Sequence, residues 1–165
     1  MPPTRQMIVH PIPPTFDENS TILILGSFPS VKTRESGYFY GHPQNRFWRV
    51  MAALYGGDVP FQPEERRAFL LRNGVAVWDV IASCTIVGSS DSSIRDVTVN
   101  DLRPILAESH VGKIYVNGKT AEKMYRRYTE PSLGIHAIYL PSTSPANAAY
   151  SLDRLTAEWR ALIFI

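Results

Sequence analysis

Four short apolar runs, each followed by a loop and then a helix-like stretch, constrain this chain more than any other feature. They are residues 21–25 (TILIL, closed by Gly26), 75–80 (VAVWDV), 113–117 (KIYVN) and 136–140 (HAIYL). Each is too short for a buried helix and rich in β-branched or aromatic residues, the pattern of strands covered on both faces. The stretches between them read as helices. One opens at Pro43 with Phe47, Trp48, Met51 and Leu54 as its stripe, stopped by Gly56-Gly57. A second opens at Pro63 with Glu64 and Glu65 at the positive end of its dipole and ends at Asn73-Gly74. A third takes Asn100 as N-cap with Pro104 in its first turn. A fourth follows Gly118, with Ala121, Met124, Tyr125 and Tyr128 on one face. Ser151 caps a last one built on Leu152, Leu155, Trp159 and Leu162. Strands alternating with helices predict an α/β chain: a three-layer α/β/α fold around a central, mainly parallel four-stranded sheet. Residues 26–44 and 83–99 read as loops. Residues 1–20, rich in proline, read as an arm on the surface of a single domain spanning 21–165.

Composition narrows the function classes. At 165 residues the chain can bury a core without staples. Its one cysteine, Cys84, excludes an internal disulfide and a cysteine-held zinc or iron–sulfur site within one chain. His10, His42, His110 and His136 lack metal-ligand spacing, so neither a metal nor a cofactor is expected. No apolar run approaches the roughly 20 residues of a membrane helix, and the N-terminus has no signal-peptide core. A cytoplasmic, nucleoid-associated monomer is the expectation. The net charge is only +2, but 13 of the 17 cations are arginine, which suits bidentate phosphate contacts. Five cations (Lys113, Lys119, Lys123, Arg126 and Arg127) cluster within 113–127. They fit a solvated helix face as well as a phosphate-binding one.

In parallel sheets ligands bind beyond the carboxyl ends of the strands. That rule selects Gly26–Asn45, Asp79–Asp91, Asn117-Gly118 and Pro141–Asn147. The first segment is neither GxGxxG nor a phosphate loop with its lysine, and it is not GxSxG. The last combines two prolines with small hydroxyl residues. It suits either a capping loop or a stiff loop that grips phosphates. Tyr38, Phe39 and Tyr40 cannot all face the core from one regular element, so at least one faces a pocket or solvent. Asn45 sits where a helix cap is expected, and Asp79 ends a buried strand, as a cap or as a polar reader.

Six segments, in order, carry a family likeness: GSFPS at 26–30, YFYGHPQNRFW at 38–48, VAVWDVIASC at 75–84, GSSDSSI at 88–94, VNGKTA at 116–121 and LPSTSPANA at 140–148. The chain resembles the uracil-DNA glycosylase superfamily, and within it the hypoxanthine-DNA (deoxyinosine) glycosylase branch. The resemblance implies DNA as partner and base excision without a metal. A deaminated base, hypoxanthine first and uracil or xanthine as alternatives, is flipped out and its N-glycosidic bond hydrolysed.

Many superfamily members hold the attacking water with an Asp or Asn in the first motif. Here that stretch, Gly26 to Ser30, has no such side chain. The resemblance shifts the catalytic role to Asn45. It assigns the flipped base to Ser27, Phe28, Tyr40, Asp79, Asn117 and Gly118, and the DNA backbone to Ser142, Ser144, Pro145 and Asn147. Two other readings stay open: a catalytically silent DNA-binding module of the same fold, and a hydrolase of free nucleosides or nucleotides.

Overall fold

The computed structural model describes residues 4–163; residues 1–3 of the expected arm and 164–165 of the expected domain lie outside the described residues. At its centre β2 (Ile22–Gly26) is buried along its whole length and pairs in parallel with both β3 (Val75–Asp79) and β6 (Lys113–Asn117). The last strand, β7 (Ala137–Leu140), pairs in parallel with β6, giving the order β3-β2-β6-β7. All four apolar runs are therefore strands of one parallel sheet.

Side chains alternate across such a sheet, and the two faces carry separate cores. Ile22, Ile24, Val75, Val77 and Tyr115 pack with buried residues of α2 (Phe47–Tyr55), α3 (Pro63–Arg72) and α7 (Leu152–Trp159). Leu23, Leu25, Ala76, Ile114 and Val116 face the other way, onto α4 (Arg103–Glu108) and α5 (Lys119–Met124). This is the three-layer α/β/α arrangement. The helix begun by α5 continues through a π turn at Tyr125–Thr129 into α6 (Glu130–Leu133). Ser151 caps α7 as expected, its hydroxyl accepting from the Arg154 amide.

Several local expectations change. The segment 83–99 is not a loop. It supplies most of β4 (Ile81–Val87) and all of β5 (Arg95–Val99), an antiparallel pair whose register shifts twice between Ile81 and Thr85. The proline-rich segment is more than a surface arm. Residues Arg5–Val9 form β1, which pairs with β4 to complete a second sheet of order β1-β4-β5. Thr15 then bridges to Val77 at the edge of the parallel sheet, by hydrogen bonds of 3.0 Å in both directions.

The first strand-end loop contains a short helix, α1 (Val31–Ser36), capped by Ser30 and stopped by left-handed Gly37. Pro43 lies in a turn, and α2 starts at Phe47. Asn100 does not cap α4. It is buried, and its amide donates to the carbonyls of Asp79 and Ile81 at the joint between the two sheets.

Candidate active site

Because β2 is flanked by β3 on one side and β6 on the other, the chain's crossovers diverge at its carboxyl end and leave a crevice there. The crevice is a cleft of about 820 Å³. All eleven residues singled out from the sequence line it: Asn45; Ser27, Phe28, Tyr40, Asp79, Asn117 and Gly118; and Ser142, Ser144, Pro145 and Asn147. Of the five clustered cations, Lys119 lines the cleft and the other four do not.

The floor is where β2 and β3 end side by side, with Gly26 paired to Asp79. Glycine is required at this point. A Cβ on residue 26 would lie 2.4 Å from Asp79 Oδ1 and 3.2 Å from the Tyr40 hydroxyl. Asp79 is 4% exposed, yet its carboxylate has a definite arrangement. Its Oδ2 lies 2.7 Å from His10 Nε2. The other imidazole nitrogen, Nδ1, accepts from the Ile12 amide at 3.1 Å, so Nε2 carries the proton and donates to Asp79. Oδ1 takes no hydrogen bond among the described residues and points to the Gly26 side of the cleft.

Tyr40 adopts a left-handed φ of 53°, uncommon for a residue with a side chain. Its ring stacks on Phe47 at 4.0 Å between centroids. Its hydroxyl is buried without a hydrogen-bond partner among the described residues. Burial first, and the Asp79 charge second, push this phenol well above the ordinary range, with Asn117 pulling slightly back, so it stays a neutral donor. Phe28, also buried, meets the edge of the His10 ring at 5.9 Å and carries the Arg34 guanidinium 5.7 Å from its centroid.

Asn45 is half-buried at the turn before α2. Its Oδ1 accepts from the Phe47 amide, the first N–H of α2, at 2.9 Å, but it is not the N-cap: that position belongs to Arg46, which makes no side-chain cap. A carbonyl oxygen has a second lone pair, which, with the Nδ2 hydrogens, remains for a water in the cleft.

The opposite wall is the segment after β7. Asn117 holds its start twice: Nδ2 donates to the Thr143 hydroxyl and Oδ1 accepts from the Thr143 amide, both at 3.1 Å. Gly118, at a φ of 97°, lets Ser142 pack against its bare Cα, and its amide donates to Leu140 at 2.8 Å. Arg46, next to Asn45, clamps the rest. Its guanidinium donates to the carbonyls of Ser144 (2.9 Å), Asn147 (3.0 Å) and Tyr150. Burial lowers the pKa of Arg46, and the nearby Arg49 adds to that.

Sequence reasoning missed two of these contributors. His10 has no metal-ligand spacing to mark it, and Arg46 is one arginine among thirteen. Their partners lie 69 and about 100 residues away, beyond the reach of any local pattern. Among the described residues no three His, Cys, Asp or Glu side chains form a metal-holding group. No described helix is long and apolar enough to cross a membrane.

Comparison with known proteins agrees with this geometry. The family model of the uracil DNA glycosylase superfamily matches residues 13–164. A hypoxanthine DNA glycosylase of Methanosarcina acetivorans is 34% identical over 163 residues, covering 94% of this chain and 98% of the relative. One from Methanosarcina barkeri is 38% identical over 153 residues, covering 89% and 92%. A solution NMR structure from M. acetivorans, described as a candidate uracil DNA glycosylase, superposes with a TM-score of 0.77 at 30% identity, over 96% of this chain and 100% of that one. With the ordered motifs, the parallel sheet and the strand-end cleft, these matches show that the chain belongs to the uracil DNA glycosylase superfamily.

Proposed function

We propose that this protein is a monofunctional DNA glycosylase that removes a deaminated base, hypoxanthine foremost, with uracil and xanthine as further substrates. One observation carries the reading most. A single cleft joins a buried hydrogen-bond acceptor, Asp79, to a small-residue loop at 142–147 suited to phosphate oxygens. A flipped base needs the first and the strand it came from needs the second.

Cleavage of the glycosidic bond builds positive charge on the sugar and negative charge on the departing base. Asn45 orients the water that attacks the sugar. An amide is a poor proton acceptor, which suits a transition state in which the bond to the base is largely broken before water adds. Phe28 or Tyr40 stacks on the base, and the backbone at Ser27 and Phe28 meets its edge. Asp79 accepts from the base's ring N–H, and Asn117 and Gly118 close the pocket. Ser142, Ser144, Pro145 and Asn147 hold the DNA strand.

The test is strand cleavage of labelled duplexes carrying one deoxyinosine, deoxyuridine or deoxyxanthosine, with alkali to break abasic sites. Base release is expected, fastest from deoxyinosine and faster from mispaired than from well-paired positions, because flipping costs less there. Retained DNA binding with no release would identify a silent binding module. Release from free nucleosides alone would identify a small-molecule hydrolase.

A further inference from the structure

We infer that His10, delivered by the N-terminal strand, is a positioning residue for substrate choice: its Nε2–H fixes Asp79 so that the pocket presents an acceptor to a deaminated base. The inference rests on the glycosylase reading above and adds to it a role for the N-terminal segment.

His10 continues β1, its amide donating to Ala82 at 2.7 Å. Beyond it the chain turns along β3, where Trp78 Nε1 donates to Ile12 at 3.2 Å and Thr15 bridges to Val77. The imidazole is thereby set beside the end of β3, its side chain 3% exposed. Phe28, Phe39 and Trp78 surround the ring at 5.9, 6.1 and 6.4 Å. With Nδ1 accepting from Ile12, the ring has one proton to give, and it gives it to Oδ2. The carboxylate can neither rotate freely nor turn a donor toward the cleft at that oxygen. Oδ1 faces the cleft beside Gly26, where no side chain can follow.

Hydrolytic loss of an amine changes the ring nitrogen beside it. In adenine and cytosine that nitrogen is a lone-pair acceptor; in hypoxanthine and uracil it is an N–H donor. A fixed acceptor is satisfied by the N–H and repelled by the lone pair. A site built around such a buried polar group rejects the mismatched partner strongly. His10 thus acts on selection through Asp79 and touches no reacting atom.

The experiment measures single-turnover release from a deoxyinosine duplex by wild type, His10→Asn, His10→Gln, Asp79→Asn and the double variant His10→Asn/Asp79→Asn. The Asn side chain keeps an acceptor for Ile12 but falls short of Asp79; Gln returns an N–H near the Nε2 position. His10→Asn is expected to lose about ten- to a hundredfold, the scale for an orienting partner. His10→Gln should recover most of that loss. The double variant should be no slower than Asp79→Asn alone. Binding to a duplex with an abasic site, which puts no base in the pocket, should be unchanged, whereas a misfolded variant would lose it.

A His10→Asn rate equal to wild type overturns the inference. So does an undiminished effect of His10→Asn in the Asp79→Asn background. If His10→Asn fails to fold, a folded His10→Gln variant as slow as Asp79→Asn overturns it instead. Failure of the glycosylase reading is separate and appears in wild type alone, as no base release from deoxyinosine, deoxyuridine or deoxyxanthosine duplexes.

Discussion

On one side of the cleft Gly26, Phe28 and Asp79 are buried at the ends of two parallel strands, and their positions follow from close packing and from one imidazole–carboxylate contact. On the other side the segment from Ser142 to Tyr150 is half-exposed or exposed except for Thr143. Its shape comes from side chains elsewhere that hold its backbone: Arg46 on three carbonyls, Asn117 on Thr143, and Trp159 Nε1 on the Pro141 carbonyl at 2.9 Å. The buried wall tolerates no added atom. The exposed wall depends on these clamps and on its own Ser142, Ser144 and Asn147, which bond backbone groups within it. On the proposed function, that division suits one wall reading a base and the other meeting the phosphate backbone whatever the sequence.

Asn45 and Arg46 stand where the walls meet, and the largest expected effect is there. Asn45→Ala should lower single-turnover excision by about 10²-fold or more, the scale of one key polar catalytic group. The lost hydrogen bond to the Phe47 amide should cost about 1 kcal/mol of stability, small enough to leave the fold intact. Near-wild-type excision by a folded Asn45→Ala protein would remove it from the mechanism.

The buried wall is challenged next by Gly26→Ala. The new methyl would fall 2.4 Å from Asp79 Oδ1, so the carboxylate must shift off its His10 contact or the strands must part. A loss of about 1–3 kcal/mol is expected in denaturant melts, the usual cost of overpacking. Excision should fall with it while abasic-duplex binding holds. An unchanged rate would mean that this wall has more slack than its contacts imply.

For the exposed wall the informative change is the clamp. Arg46→Lys keeps the charge, but an ammonium cannot hold three carbonyls in the geometry of a planar fork. DNA affinity should weaken by about tenfold, the worth of one charge-assisted hydrogen bond. Ser144→Ala with Asn147→Ala should act in the same direction. In both cases binding should suffer more than cleavage of pre-bound substrate. The reverse order, measured by titration against single-turnover rates, would put the loop in the chemistry.

The same contrast explains what the sequence disclosed. The parallel strands are legible because burial on both faces leaves unbroken apolar runs such as Ile22–Leu25, and the strand-end rule then selects segments that contain all eleven residues the resemblance names. The second sheet was not legible. In β4 the half-buried positions mix Ala82, Ser83, Thr85 and Val87 and two register shifts break the alternation, while β1 is an exposed edge whose partner lies about 80 residues on. Asn100 reads as a cap because Pro104 follows in what would be the first turn; its amide instead bonds the carbonyls of Asp79 and Ile81 at the joint between the two sheets. The roles that depend on distant partners, His10 on Asp79 and Arg46 on the loop carbonyls, left no local pattern to read.

The smallest expected effect lies at Tyr40, and it bears on whether the buried wall is inert. Its hydroxyl is buried with no partner among the described residues, an arrangement that costs about 1–3 kcal/mol when a polar group loses water and gains nothing. The strained φ of 53° and the stacking on Phe47 hold it there regardless. Tyr40→Phe preserves the stack and removes only the oxygen. If the hydroxyl waits for a ligand, the variant should melt later by about 1 kcal/mol and excise more slowly, because the base loses a donor beside Asp79. A later melt with an unchanged rate would make the wall purely steric and leave base reading to Asp79 alone. An earlier melt would mean that the hydroxyl has a partner in the folded protein, most simply a water between Tyr40 and Asn117, and the donor role would pass to that water.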